Sequence, residues 1–452
     1  MLDIMHKALK KALESCDQAE IYGERSNILS IDLEREEVKK VKHVKSTGIG
    51  VRVVISNKIG FSYTTALENA RIEECVEHAI KQARVSEEDP YFSGLPVASK
   101  HGYEKPEKSF DKRIIDLLEG GSEDAIEYCK EMLTGMKAYE VRKGVRCTPT
   151  EGSFAAAFDE TYILNSEGIE TSDTGTYVSA GIMVVAGEDG GEETPGAEGK
   201  VSRMLTDMDF GWIGREAVKI AVDGLGGKRL KTKTIPVVLS PRAVQSLLAY
   251  TLIPQLSAEN VQRKQSPYHG KKGEEIASEI LSIIDDGTMP LGVNSRKMDG
   301  EGVPSQSTNL LEKGVLKNFL YDSYTAGKDG VESTGNAIRG FDNLPTPGAT
   351  NFIINGISRA SKDEMFSEIR EGLFINDLIG AHTASRASGD FSVVAQNAYG
   401  IKKGELFPVK QVMVAGNMQE VLKHVEMIGT DTRQIYNVVS PSIMVSRVQM
   451  VA

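Results

Sequence analysis

The stretch AEIYGERSNILSIDLEREEVKKVKHVKSTGIGVRVVISNKIGFSYTT, Ala19 to Thr65, decides the fold class. It holds five short runs rich in β-branched and aromatic residues. Polar or glycine pairs at Ser26-Asn27, Glu36-Glu37, Thr47-Gly48 and Asn57-Lys58 separate them. In the second run Leu29, Ile31 and Leu33 alternate with Ile28, Ser30 and Asp32. Alternation with a period of two places one set of side chains on a single face. The block therefore reads as an antiparallel meander with one face buried.

Helical spacing surrounds this meander. Leu2, Met5, Leu9, Leu13 and Cys16 precede it, and Ile72, Cys75, Val76, Ala79, Ile80 and Ala83 follow it. Each set recurs every three or four residues, which makes one apolar stripe on a helix. Further helix is expected from Asp111 to about Met136, broken near Gly120-Gly121. Strand patterns return from Gly144 to Asp189, with Asn165–Gly168 as a tight turn between two of them. The acidic, glycine-rich segment Gly187–Lys200 is expected to be a mobile hairpin tip or loop. A helix from Phe210, holding the single tryptophan Trp212, ends in the glycines before Lys228.

A new start follows at IPVVLSPRAVQSLLAYTLIPQL, where Pro241 suits the first position of a helix. A chain of 452 residues exceeds a typical single core. The expected division is 1–225 and 226–452, with the boundary between about residues 225 and 234. In the second part helices are expected at 242–256, 273–281 and 361–371 among many strands. Helices segregated from mixed strands give an α+β class, with two domains of mostly antiparallel sheet plus a few helices.

The net charge of −11 repels nucleic-acid phosphates and anionic membranes. The nearest basic block, Gly226 to Lys233, is short and reads as a solvated connector. The first sixteen residues are interrupted by lysines throughout and do not read as a secretory signal. No apolar run approaches membrane-spanning length. Cys16, Cys75, Cys129 and Cys147 form no CxxC pair and read as inert thiols in a reducing cytoplasm.

The chemistry-bearing motifs are few. Gly199-Lys200 is followed by Val201, so it is not a phosphate loop, and no GxGxxG is present. No two of the seven histidines lie within twenty residues of each other, and HExxH is absent. Zinc sites usually draw two ligands from one short motif, so this chain is expected to bind no metal. One stretch has hydrolase vocabulary: LIGAHTASRASGDFSVV, Leu378 to Val394. It brings His382, Thr383, Ser388, Asp390 and Ser392 close in sequence. Catalytic triads converge from distant segments, so a hydrogen-bonded turn entering a core strand is the simpler reading.

Five segments, in order, resemble the TldD/PmbA family: Gly48–Thr65, Asp299–Ala326, Ser333–Ala337, Pro345–Ile354 and Gly372–Leu422. The resemblance implies a two-domain α+β fold. It also implies that TldD-type and TldE-type subunits pair into a zinc metalloprotease acting on peptides or unfolded proteins. In that family the TldD-type subunit carries zinc on a HExxxH helix, with a cysteine near the C-terminus as a further ligand. Here the corresponding helix, Ser240 to Leu256, contains no histidine, glutamate or cysteine, and the last cysteine of the chain is Cys147. The resemblance therefore points to the metal-free, TldE (PmbA)-type partner, with zinc in the other subunit.

Under that reading His382, Thr383, Ser388, Asp390, Ser392, Asn336 and Asn397 are candidates for lining a shared substrate cavity. Two alternatives remain at the level of sequence: a peptide-binding homodimer without catalysis, and an autonomous hydrolase using His382. The family's other label, modulator of DNA gyrase, implies at most an indirect link, because an acidic chain does not favour DNA contact.

Overall fold

A computed structural model describes residues 1–100, 102–188 and 191–451. The class is α+β, as the alternation pattern indicates. The first half is organised by one antiparallel sheet of β1 (Gln18–Glu34), β2 (Glu37–Ile55), β3 (Lys58–Thr64), β4 (Val145–Asn165), β5 (Glu170–Glu188) and β6 (Glu193–Ser202), in the order β3-β2-β1-β4-β5-β6. Two of the expected turns are absent. Ser26-Asn27 and Thr47-Gly48 lie inside continuous strands, where Ser26 pairs with Ser46 and Asn27 with Lys45. The polar residues that resembled turn formers bond across the ribbon instead. Ser26 Oγ meets Ser46 Oγ at 2.7 Å, and His43 Nε2 meets Asn27 Oδ1 at 2.6 Å. The segment Gly187–Lys200, expected as a mobile hairpin tip or loop, belongs to the β5–β6 hairpin, and most of it is strand. β5 runs to Glu188 and β6 begins at Glu193, while Asp189 and Gly190 lie outside the described residues.

Helices cover one face of this sheet. α1 (Leu2–Leu13) and α2 (Asn69–Val85) pack on Ile21, Ile49, Val51 and Val53. All six apolar residues of the α2 stripe are buried. α3 (Lys112–Gly120), α4 (Glu123–Lys137) and α5 (Phe210–Asp223) pack on Leu29, Ile31, Leu33, Phe154 and Val178. α4 and α5 touch backbone to backbone: a Cβ on Gly214 would lie 1.9 Å from the Met132 carbonyl oxygen, so only glycine fits there. Burial raises the Cys129 thiol to about 12, which suits an inert core thiol.

The second half is built around a closed ring of strands. β7 (Lys233–Leu239) pairs in parallel with Glu371–Ile379 and antiparallel with Ile443–Val451. Asp390–Lys402 and Val412–Asn417 complete the circuit between them. A second sheet is centred on Leu281–Asp286 and Phe352–Gly356. α6 (Pro241–Tyr250) lies in the same core, with Ala243, Val244, Leu247 and Leu248 buried. Ser240 caps it by accepting from Ala243 N–H, which leaves Pro241 where no N–H is needed. The helix breaks at Thr251, short of the expected 256, and resumes for one turn at Leu252–Gln255. No helix forms at 273–281, where Gly273 adopts φ 92° and the segment is irregular. A helix not anticipated from the sequence, Ser323–Asp329, starts at a capping box on Asp322 and Thr325.

A buried charged network joins the halves. Arg52 on β2 donates to Glu20 on β1 at 2.8 Å and to Glu301 of the second half at 3.0 Å. Arg339 donates to the other oxygen of Glu20 and lies over the Tyr22 ring at 4.7 Å. Desolvating these charges is costly, and the crossed hydrogen bonds offset it only in this geometry. Asp299 accepts from the N–H groups of Glu301, Val303 and Ala337, and burial together with the Glu301 charge holds its carboxyl above the ordinary range.

Candidate functional site

The open face of the first sheet, opposite its helices, forms the floor of a cleft of about 800 Å³. Cross-strand pairing explains the floor's chemistry. Lys40, Asp32, Ser153, Gly181 and Gly199 are successive partners across β2, β1, β4, β5 and β6. They share the face opposite Leu33, Phe154 and Ile182, which the helices bury. A second row, Glu151, Met183 and Ala197, runs beside it. The far wall comes from the second half: Arg242 in the first turn of α6, and Gln434, Ile435 and Tyr436.

A four-residue charge cluster closes the seam beside this wall. Glu198 of β6 accepts from Arg433 Nη1 and Nη2, at 3.2 Å each, and from Arg242. Arg242 Nε also lies 3.8 Å from Asp377. The Arg433 guanidinium sits 5.3 Å from the Trp212 ring centre, which stacks it against α5. Burial raises the Asp377 carboxyl, and the neighbouring Arg242 opposes the rise.

The residues singled out by sequence do not assemble into one site. His382 is exposed on a single 3-10 turn, Ala381–Thr383, and its ring meets Tyr250 at 6.4 Å. Thr383 donates back to the Gly380 carbonyl at 2.8 Å. Ser388 donates to Asp390 Oδ2 at 2.6 Å, and Asn417 donates to Asp390 Oδ1 at 2.8 Å. Those two donors hold the Asp390 carboxyl below the usual range. Ser392 pairs with Ala415 inside the strand ring. Asn336 is buried, and its amide donates to Asp285 at 2.7 Å and to the Gly348 carbonyl at 3.0 Å. Asn397, with φ 49°, donates to the Pro195 carbonyl of β6 at 2.7 Å. None of these seven residues is among those lining the cleft. The residues that line the cleft or close the seam beside it, Glu198, Arg242, Arg433 and Tyr436, escaped the sequence reading. A lone arginine early in an apolar helix was the one local signal among them.

The fold and cleft define a class: an α+β protein whose first-half sheet and second-half helix and hairpin, α6 and the strands around Tyr436, enclose a groove between them. The chain belongs to the PmbA/TldD metallopeptidase family. Family models for domain 1, the central domain and the C-terminal domain match residues 19–83, 116–225 and 232–452. An uncharacterised protein of Methanocaldococcus jannaschii is 34% identical over 97% of this chain and 98% of its own length. A metalloprotease TldD homolog of Haemophilus influenzae is 27% identical over 91% of this chain and 85% of its own. The crystal structure of TldE from Thermococcus kodakarensis superposes with a TM-score of 0.88 at 25% identity, covering 99% of this chain and 100% of that one.

The family implies zinc, and the donors at α6 do not suit it. The polar side chains of that helix are Arg242, Gln245, Ser246 and Tyr250. Its own Arg242 and the neighbouring Arg433 repel a divalent cation, and the nearby carboxylates of Glu198 and Asp377 are already engaged by these guanidinium groups. Among the described residues no group of three or more His, Cys, Asp or Glu side chains is placed to hold a metal. Among the same residues no helix is long and apolar enough to cross a membrane.

Proposed function

We propose that this chain is the non-catalytic, TldE-like subunit of a TldD/TldE-type metalloprotease acting in the cytoplasm on peptides or unfolded proteins. One observation carries the reading. The helix that would bear the metal ligands is capped, apolar on its inner side, and tied at Arg242 into the cluster with Glu198, Asp377 and Arg433. Zinc and the attacking water then belong to the partner chain. What this subunit supplies is surface: a flat sheet floor, a walled groove and a rigid seam, all suited to holding an extended chain without sequence-specific chemistry. Without its partner the chain is proposed to form a homodimer.

The test is co-expression with a TldD-type protein from the same genome. Casein hydrolysis sensitive to a chelator is expected from the pair and not from this chain alone. Equal hydrolysis by the partner with and without this chain would overturn the proposal.

A further inference from the structure

The cleft exposes two large apolar side chains, one from each half of the chain. Met183, on the β5 floor, is 37% exposed, and Tyr436, on the opposite wall, is 66% exposed. Of the other large apolar residues lining the cleft, Leu33, Ile182 and Ile435 are buried beneath it and Val201 is half-buried. Tyr436 opens the two-residue loop between Arg433–Ile435 and Val438–Ser440, and it adopts φ 51°. That conformation is unfavourable for a bulky residue, and glycine or asparagine takes it more readily. Gln434 Nε2 donates to the Tyr436 carbonyl at 3.1 Å, which steadies the strained tip. The phenol ring thus stands exposed on a fixed mount, lining the same cleft as Gly181, Ala197 and Gly199, floor residues that rise no higher than a methyl group.

We infer that Met183 and Tyr436 form an apolar subsite that takes one large hydrophobic side chain of an extended peptide. This deepens the proposed function and rests on it. The pairing is suited to that ligand. Methionine adapts its shape to varied apolar groups, and a rigid aromatic supplies contact area at little entropic cost. The small floor residues leave room for the peptide backbone to approach the sheet. Lys39 is paired with Glu34, and Glu198 with Arg242 and Arg433, while Asp32, Lys40 and Glu151 add exposed charge elsewhere on the floor, so within the cleft the Met183 and Tyr436 surfaces are the part that recognises by burial.

The experiment measures fluorescence anisotropy of fluorescein-labelled twelve-residue Gly/Ser/Ala peptides, with a single central Phe or a single central Ala, against the full chain alone. The Phe peptide is expected to bind at least tenfold tighter. Tyr436→Gly should leave the melting temperature unchanged or raised, because it relieves the left-handed strain, yet cut the preference to under threefold. Met183→Ser should move the preference in the same direction. A preference that survives Tyr436→Gly, or no binding of the Phe peptide at all, overturns the inference. Because neither a partner nor proteolysis enters this measurement, its failure is distinguishable from failure of the co-expression test.

Discussion

Arg433 grips both carboxylate oxygens of Glu198 side-on, 3.2 Å from each, across the seam between the first-half sheet and the second-half strands. The Glu198 side chain is 2% exposed and the Arg433 side chain 38%. Removing the carboxylate leaves two guanidinium groups facing each other with only Asp377 nearby. Glu198→Gln is therefore expected to destabilise the chain by about 2 kcal/mol, less than for a fully buried pair because Arg433 is partly solvated. Urea unfolding measures it. A loss under about 0.5 kcal/mol would mean the cluster does not hold the seam.

Asn397 links the same two halves by a different device. Its amide donates to Pro195 of β6, and its backbone is left-handed. Asn397→Ala loses the bond and keeps the strained conformation, so a cost of about 2 kcal/mol is expected. Asn397→Gly should recover roughly 1 kcal/mol of that, since glycine accepts the backbone freely. Equal stability of the two variants in urea titrations would contradict this account of the site.

Asp285 gives a pH dependence. Burial raises its carboxyl to about 6, opposed by hydrogen bonds from Thr350 and Asn336. A carboxyl raised on folding contributes stability that is full below the unfolded value of about 3.9 and is lost as pH rises through about 6. Asp285→Asn lacks this component. The stability gap between wild type and variant should therefore narrow by roughly 1 kcal/mol per pH unit between pH 4.5 and 6. A gap that widens with pH over that interval would reverse the sign.

His382 and Ser388 test the hydrolase reading directly. Ser388 is spent on the Asp390 turn, and His382 packs edge-on to Tyr250. His382→Ala and Ser388→Ala should each leave proteolysis by the assembled pair within about twofold of wild type, a difference of about 0.4 kcal/mol. A loss of a hundredfold or more in either would restore a catalytic role to this loop.

Local patterns in the sequence revealed the elements whose burial is periodic. The α2 stripe and the Leu29, Ile31, Leu33 face were legible because one side chain in two or in three to four meets the core. The Ser26-Asn27 and Thr47-Gly48 turns were misread because both pairs sit inside a long continuous ribbon, where cross-strand hydrogen bonds satisfy the Ser26 and Asn27 side chains. Nothing local could reveal the cleft. Arg242 and Arg433 are separated by 44 and 235 positions from the Glu198 carboxylate they share, and only the fold brings them together. The signature segments Asp299–Ala326 and Ser333–Ala337 were visible as motifs, but the role of the first at the seam, through Glu301, required the pairing of the two halves, and the Asn336 bond to Asp285 required the fold of the second.

The central claim is most directly tested by zinc stoichiometry, measured by plasma mass spectrometry on the co-purified pair and on each separated chain. The expected result is stoichiometric zinc in the TldD-type partner and none above background in this chain, with no change in the pair when Arg242 is replaced by Ala. Stoichiometric zinc retained by this chain after separation would contradict it.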